Sequence, residues 1–278
     1  MRMALAERQA RELQLIVEAA VSGSQPHTAD SLRTAFNVSP ATIYNDLDVL
    51  ARLRISRNRG VVEARTEDDA KSFPERFAAG AALKRAIAEF VVRECIAPGS
   101  IVFIDTGSTC YQVANVLVDD LRDDIRVLTA NPYALHAFVD SGFPGEVIVL
   151  GGILRRQAAS LHGTLTVDAL SRLKCDVAII SVDFVHDDPE GTFAIFSDAE
   201  LEQKRVAITQ ASSVIVVADE AKLGRNVGNA ISSFGAVLQS KAVRLVIGVE
   251  TGSRDVNAKL SALRGILGPS GVSAVTVA

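Results

Sequence analysis

From Ile101 onward, short apolar runs alternate with amphipathic segments, and this alternation restricts the fold more than any other feature. The apolar runs are rich in Val and Ile, the composition of strands buried on both faces. Strands are predicted at 101–104, 125–129, 146–150, 176–181, 213–218, 243–248 and 273–277. Helices are predicted near 110–118, 132–140, 164–173, 198–211, 235–240 and 255–264. The alternation predicts an α/β domain, a doubly wound and mostly parallel sheet with helices on both faces.

Polar residues follow several of these predicted strands, where ligands of such sheets bind. The candidate effector-binding residues are Asp105, Thr106, Gly107, Ser108, Thr109, Asn131, Gly151, Gly152, Asp183, Lys204 and Lys222. Phosphate binds backbone N–H groups, hydroxyls and cations, whereas sugar hydroxyls bind carboxylates and amides. This set of residue types therefore favours a phosphorylated polyol as ligand.

The role of each residue follows from its chemistry. Ser108 and Thr109 would bind phosphate at a helix start, and Gly107 would let the backbone approach the ligand closely. The candidate cations are Lys204 and Lys222, with Arg155 as a third. Sugar hydroxyls would be bound by Asp105, Asn131 and Asp183. Structural alternatives remain open: Asp105 and Asn131 would cap helices, and Lys204 would pair with Glu200 one helical turn earlier.

The first 66 residues have a different organisation. The periodicity predicts a helix over 5–22, a second over 28–36, a turn at 37–39 and a third helix over 40–53, opened by Ser39 and Pro40. Short strand candidates, Ile55 and Val61-Val62, flank 57–60. Three helices followed by such a hairpin indicate a winged helix-turn-helix.

In this arrangement the third helix enters the major groove of DNA. The candidate DNA-binding residues are Ser39, Ala41, Thr42, Tyr44 and Asn45 on that helix and Arg57 and Arg59 in the wing. The inward-facing set is Val38, Ile43, Leu47 and Leu50. The alternative is a small helical dimerisation module with a solvated arginine face.

Charge also divides the chain. Residues 1–66 hold nine Arg and no Lys against seven Asp plus Glu, a net of +2, whereas the whole chain has a net charge of −4. Polar residues without apolar periodicity, Thr66 to Ser72, precede Pro74. The predicted organisation is a DNA-binding domain over 1–66, a linker over 67–74 and an effector-binding domain over 75–278.

Several functional classes are disfavoured. No apolar stretch is long enough to span a bilayer, and the N-terminus lacks the apolar core of a signal peptide, so we expect a cytoplasmic protein. Cysteines 95, 110 and 175 have neither disulfide nor zinc spacing. The four histidines are too far apart to suggest metal ligands. We expect no metal and no cofactor.

The segment from Phe36 to Leu50 resembles the helix-turn-helix of the DeoR family of bacterial transcription regulators. It has the family's Val-Ser, Thr-Ile, Asp-Leu and Leu pattern at 38–39, 42–43, 46–47 and 50. It departs from the family in having Tyr44-Asn45 in place of two arginines, and Asn58-Arg-Gly-Val61 in place of His-Gly-Gly-Ala. Loss of two cations removes phosphate or guanine contacts, although Asn45 can pair with adenine.

The resemblance continues through most of the chain. It includes 105–109, 129–131, 150–154 with Gly163, 191–193, 200–205 and 219–224. It implies an effector domain similar in fold to ribose-phosphate isomerases and CoA transferases. It also implies a repressor of carbohydrate metabolism genes that leaves its operator when a phosphorylated sugar or related metabolite binds. Because an operator has two half-sites, we expect a homo-oligomer, a dimer or a tetramer.

Two other hypotheses compete with this one. The first is a sugar-phosphate isomerase or transferase-like enzyme on the same fold, with Asp105 or Glu200 as general base and Lys222 as electrophile. A winged helix has no purpose in such an enzyme, so we expect no enzymatic activity. The second retains DNA binding but treats the pocket as vestigial.

Overall fold

The computed structural model describes residues 8, 11, 12, 15, 27–50, 55–58, 61–64, 72–156, 158–224, 226, 228–250 and 253–277. For 47–50, 55–58 and 61–64 only the backbone is described. The chain divides into two compact units, Met1–Lys71 and Ser72–Ala278. Positions 67–71 of the predicted linker lie outside the described residues, as does the predicted continuation of the third helix to Leu53.

The N-terminal unit has the predicted helix, turn, helix and hairpin. Helices α1 (Ala29–Phe36) and α2 (Pro40–Leu50) precede strands β2 (Ile55–Asn58) and β3 (Val61–Ala64), and β1 (His27–Thr28) pairs antiparallel with β3. Residues 8, 11, 12 and 15 are also helical. The Thr28 hydroxyl caps α1, and the Ser39 hydroxyl accepts the Thr42 N–H at 3.1 Å. The segment that includes β1 was predicted only as a break, because a two-residue strand forms only against a partner distant in sequence.

The C-terminal unit is built on a seven-stranded parallel sheet of order β15-β14-β12-β9-β4-β5-β6. All seven predicted strands are confirmed. Their bounds are β4 Ile101–Ile104, β5 Arg126–Thr129, β6 Glu146–Val149, β9 Cys175–Ser181, β12 Ala211–Asp219, β14 Ala242–Gly248 and β15 Val272–Val275.

Helices cover both faces of this sheet. Along β4, Val102 and Ile104 join one hydrophobic core and Phe103 joins the other, which shows the two-residue alternation of a strand buried on both sides. The helices are α3 Phe73–Ala78, α4 Ala81–Cys95, α5 Ser108–Asp119, α6 Pro132–Ser141, α7 Thr164–Ser171, α8 Leu201–Gln210, α9 Phe234–Leu238 and α10 Arg254–Leu267. The predicted α/β architecture is thus confirmed.

Three predictions of detail are wrong or incomplete. Apolar residues at helical spacing predict one helix from Pro74 to Cys95, but the structure has two helices, because Gly80 between them has a φ of +61°. A hairpin of β7 (Ile153–Arg155) and β8 (Ser160–His162) was not predicted. The same is true of a small antiparallel sheet made by β10 (Phe184–Val185), β11 (Thr192–Ile195) and β13 (Asn229–Ser233).

Candidate functional site

The candidate effector residues follow strands that are parallel neighbours in the large sheet. In the order β12-β9-β4-β5-β6, each strand pairs in parallel with the next. Their carboxyl ends therefore share one edge, where Lys222, Asp183, the turn at 105–109, Asn131 and Gly151 follow the respective strands. Sequence-distant residues are brought to this edge by strand order alone.

At the centre of the edge lies a buried ion pair between Lys204 of α8 and Asp105. The two side chains are 1% and 0% exposed, and the Lys204 ammonium donates to Asp105 Oδ2 and to the Ser181 carbonyl at 3.0 Å. The Ser181 N–H and hydroxyl donate to the same Oδ2 at 2.9 and 2.8 Å. Burial lowers the pKa of Lys204, but the carboxylates of Asp105 and Glu200 outweigh it and raise that pKa. The ion pair of Lys204 thus crosses the sheet edge rather than running along its own helix.

The turn after β4 leads directly into α5. Gly107 is required by close packing, because a Cβ there would lie 2.4 Å from Ser181 Oγ. Within the described chain no side chain caps the first turn of α5, and that turn contains no acidic residue. Ser108 is buried and Thr109 is half-buried beside these N–H groups. The start of α5 therefore has the donors and the dipole that favour an anion.

Glu200 connects this turn to the β7–β8 hairpin. Its Oε2 accepts the Thr106 hydroxyl at 3.1 Å, and its Oε1 accepts the Ser160 hydroxyl. Arg155 Nη1 lies 3.5 Å from the same Oε1. Ser160 and Ser181 were missed by sequence reasoning, because a single serine within a strand gives no signal of its partner.

Asn131 combines a structural role with an unused donor. Its Oδ1 accepts the N–H groups of Tyr133 and Ala134 at 3.0 and 3.3 Å, so it caps α6. Its backbone N–H donates to Thr129 Oγ1 at 3.1 Å. The buried Nδ2 has no hydrogen-bond partner among the described residues. A buried amide without a partner is costly, which makes this nitrogen a candidate ligand donor.

The two glycines after β6 pack against α7. The Thr166 hydroxyl donates to the Gly151 carbonyl, and a Cβ on Gly152 would lie 2.2 Å from Thr166 Oγ1. Gly152 also has a φ of +154°, which disfavours other residues. The contacts of these glycines therefore close the hairpin onto α7.

Asp183 and Lys222 follow β9 and β12, the two strands next to β4 on one side. The Asp183 carboxylate accepts the Phe196 N–H at 2.9 Å and so holds the end of β11. Lys222 is half-buried in a 3₁₀ turn, Glu220–Lys222, which Asp219 caps by accepting the Ala221 N–H at 3.1 Å.

Two aromatic side chains of helix α3 form a cluster with two tyrosines beside this edge. Phe73 stacks on Tyr133 with ring centroids 4.3 Å apart, and Phe77 contacts Tyr111 at 4.9 Å. Tyr133 follows the cap of α6, and Tyr111 lies in the first turn of α5. Arg76 of the same helix donates to the Ala158 carbonyl at 3.3 Å. Helix α3 thus contacts three segments that frame the candidate site.

The candidate DNA-binding residues are placed by burial of the opposite side of α2. Ile43 and Asp46 are buried, and Arg8 holds the Asp46 carboxylate at 2.7 Å. Ser39, Ala41, Tyr44 and Asn45 are exposed, whereas Val38 and Thr42 are half-buried. The side chains of Leu47, Leu50 and Arg57 and the whole of Arg59 lie outside the described residues.

Comparison with known sequences assigns the chain to a protein family. Residues 80–239, more than half of the chain, match the DeoR C terminal sensor domain. The chain belongs to the DeoR family. It is 30% identical over 218 residues to the glycerol-3-phosphate regulon repressor of Escherichia coli (strain K12), covering 78% of this chain and 82% of the relative. It is also 30% identical over 222 residues to the HTH-type transcriptional regulator GlpR of Haloferax volcanii, with 79% and 82% covered.

DeoR-family membership makes the chain a regulator of transcription rather than an enzyme, as its sequence predicts. The sensor match contains the whole candidate edge from Asp105 to Lys222. A ribose 5-phosphate isomerase A from Methanocaldococcus jannaschii aligns over 52% of this chain and 56% of its own, at 17% identity and a TM-score of 0.38. A score this low adds nothing to the assignment.

Three further observations concern thiol reactivity, metal binding and membrane-spanning helices. Cys110 is fully buried, and burial raises the pKa of its thiol, which makes it a poor nucleophile. In the part of the chain that the structure describes, no group of His, Cys, Asp or Glu side chains is arranged to hold a metal ion. Over the same residues, no helix is long and apolar enough to cross a membrane.

Proposed function

We propose that this DeoR-family regulator is a repressor that binds its operator through α2. It releases the operator when a phosphorylated sugar or related metabolite binds at the edge of the sensor sheet. One observation carries the effector part. The uncapped start of α5, whose first turn has no acidic residue, lies at the same sheet edge as Asn131 Nδ2, which has no partner among the described residues. The first suits a phosphate and the second suits a hydroxyl oxygen.

The effector class is supported by the names of relatives. One relative is called a glycerol-3-phosphate regulon repressor, and another is called a putative aga operon transcriptional repressor. Glycerol 3-phosphate is therefore the first candidate effector. In this proposal Ser108, Thr109 and the α5 N–H groups bind the phosphate, and Asn131 binds a hydroxyl.

The DNA-binding part rests on the exposed side of α2. Ser39, Ala41, Thr42, Tyr44 and Asn45 face base edges, and Arg57 and Arg59 bind phosphates. Each chain supplies one such helix, whereas a palindromic operator has two half-sites. The regulator, which we place in the cytoplasm, therefore binds the operator as a dimer or a larger homo-oligomer. Asn45→Ala would weaken specific binding by about 1–3 kcal/mol while leaving non-specific binding nearly unchanged.

Fluorescence anisotropy with labelled DNA from upstream of the chain's own gene tests the proposal. Glycerol 3-phosphate is titrated first, glycerol serves as the matched unphosphorylated control, and a panel of sugar phosphates follows. An effector that weakens operator binding tenfold provides about 1.4 kcal/mol of coupling. Ser108→Ala should raise the effector concentration required, whereas Ser171→Ala, an exposed serine on α7, should not. Operator affinity that stays constant across the whole panel refutes effector control.

A further inference from the structure

We propose that Arg155 is the cation that binds the effector phosphate, and that it does so by exchanging Glu200 for the phosphate. This assignment rests on the proposed function and adds to it a named side chain and a mode of regulation. The sequence favours Lys204 and Lys222 over Arg155 as the phosphate-binding cation, whereas the structure favours Arg155 over Lys204.

Lys204 is already used inside the protein. Its ammonium is 1% exposed and donates to the Asp105 carboxylate, to the Ser181 carbonyl at 3.0 Å and to the Ser181 hydroxyl at 3.3 Å. An ammonium has three donors, and these contacts engage all of them. Recruiting Lys204 to a phosphate would leave Asp105 buried without its counter-ion.

Arg155 has the opposite character. Its side chain is 38% exposed, and Nη1 lies 3.5 Å from Glu200 Oε1, a distance too long for a strong charge-assisted hydrogen bond. Through Glu200 it is also close to the phosphate turn, because the other carboxylate oxygen accepts the Thr106 hydroxyl at 3.1 Å. A guanidinium can bind a phosphate through two parallel hydrogen bonds.

Glu200 can give up Arg155 at low cost. Its two oxygens accept hydroxyls from Ser160 and Thr106, so the carboxylate keeps a hydrogen bond on each oxygen after Arg155 leaves. Until then Glu200 is a negative charge that competes with an arriving anion for the same guanidinium. The Glu200–Arg155 pair therefore lowers the affinity of the site for phosphate. Removal of the Glu200 charge should raise that affinity.

The exchange also has a route toward the DNA-binding unit along the chain. Arg155 ends β7, and Ala158 in the following turn accepts a hydrogen bond from Arg76 of α3 at 3.3 Å. Helix α3 is the first helix after the boundary between the two units. Movement of Arg155 toward a phosphate therefore acts on a turn that α3 holds directly.

Isothermal titration of the full chain with inorganic phosphate tests the assignment. Arg155→Gln should weaken binding about tenfold or more, Arg155→Lys should have an intermediate effect, and Glu200→Gln should strengthen binding several-fold. Arg126→Gln is the matched control, because Arg126 also pairs with one carboxylate, Glu146, but at the start of β5 on the opposite sheet edge. Circular dichroism melts show whether each variant is folded.

The outcomes separate this inference from the proposed function. If wild type binds phosphate and Arg155→Gln binds it equally well, the Arg155 assignment is overturned while the sensor proposal stands. If wild type binds no phosphate, the phosphate site itself is refuted, and the Arg155 assignment with it. If Glu200→Gln does not fold, the phosphate affinities of wild type, Arg155→Lys and Arg155→Gln, expected to fall in that order, decide whether Arg155 binds the phosphate. A Glu200→Gln protein that folds but binds phosphate more weakly than wild type overturns the exchange.

Discussion

Buried charge is handled differently in the two units. In the sensor unit the Lys204 ammonium is hydrogen-bonded to the Asp105 carboxylate, Glu200 is a second carboxylate nearby, and Ser181 completes the hydrogen bonds. In the N-terminal unit one cation, Arg8, faces two buried carboxylates, Asp46 at 2.7 Å and Glu12 at 3.6 Å. The Glu12 oxygens have no hydrogen-bond partner among the described residues. Among the described residues, Lys204 is thus hydrogen-bonded to its counter-ion, whereas Glu12 is a buried carboxylate without a hydrogen bond, so the responses of the two clusters to mutation and pH should differ.

The largest effect is expected for Asp105→Ala. It removes the only carboxylate that is hydrogen-bonded to the buried Lys204 ammonium among the described residues and leaves Glu200 as a more distant charge, which costs about 3–5 kcal/mol of unfolding free energy. Chemical denaturation of the sensor transition measures the loss. The matched control is Asp119→Ala, whose carboxylate pairs with Arg85 at a half-exposed site and should contribute less than about 1 kcal/mol. Equal losses for the two variants would contradict the description of Asp105 as a buried counter-ion.

Asp46→Ala should destabilise the N-terminal unit by less, about 2–3 kcal/mol. The Arg8 side chain is partly exposed and still has Glu12 nearby, so its charge is not left alone. Scanning calorimetry resolves the loss if the two units melt separately. A loss larger than that of Asp105→Ala would reverse the comparison between the clusters.

Gly107→Ala probes the hydrogen bonds that complete the sensor cluster. The added Cβ would lie 2.4 Å from Ser181 Oγ and 2.5 Å from Ser181 Cβ, so Ser181 must shift and its hydrogen bonds to Asp105 are strained, at a cost of about 1–2 kcal/mol. Gly265→Ala in α10 is the control, since a Cβ there meets nothing within 4 Å. Urea denaturation should show a loss for the first variant and none for the second. An unchanged stability of Gly107→Ala would contradict the close packing of Gly107 against Ser181.

The smallest effect, counted per pH unit, is a pH dependence of the N-terminal unit. Burial first, and then the Asp46 charge, raise the pKa of Glu12 from 4.5 to about 7 despite Arg8. The folded unit therefore binds more protons than the unfolded chain between these values, and its stability falls as the pH rises from about 4.5 to above 7. The slope cannot exceed about 1.4 kcal/mol per pH unit for one proton. Calorimetry across this range should show the slope in wild type and its absence in Glu12→Gln.

The sequence predicts the fold well because the decisive signals are local. Each strand of the large sheet is a compact apolar run, and the candidate polar residues other than Lys204 of α8 come after such runs. The chemistry of the edge followed from strand order, once the strands were assumed parallel.

Pairing inside the edge could not be predicted. Lys204 and Asp105 are 99 residues apart, whereas Glu200 is one helical turn away, and only the assembled sheet decides between them. The roles of Ser160 and Ser181 depend on the same assembly. The break at Gly80 was hidden because apolar residues at helical spacing continue on both sides of it.

The aromatic cluster under α3 gives the molecule an internal optical probe. The chain has three tyrosines and no tryptophan, and two of the tyrosines, Tyr111 and Tyr133, lie against Phe73 and Phe77 of α3. Near-ultraviolet emission of the native protein therefore comes mainly from the contact between α3 and the first turns of α5 and α6. A ligand that loosens this contact will change the emission without any attached dye.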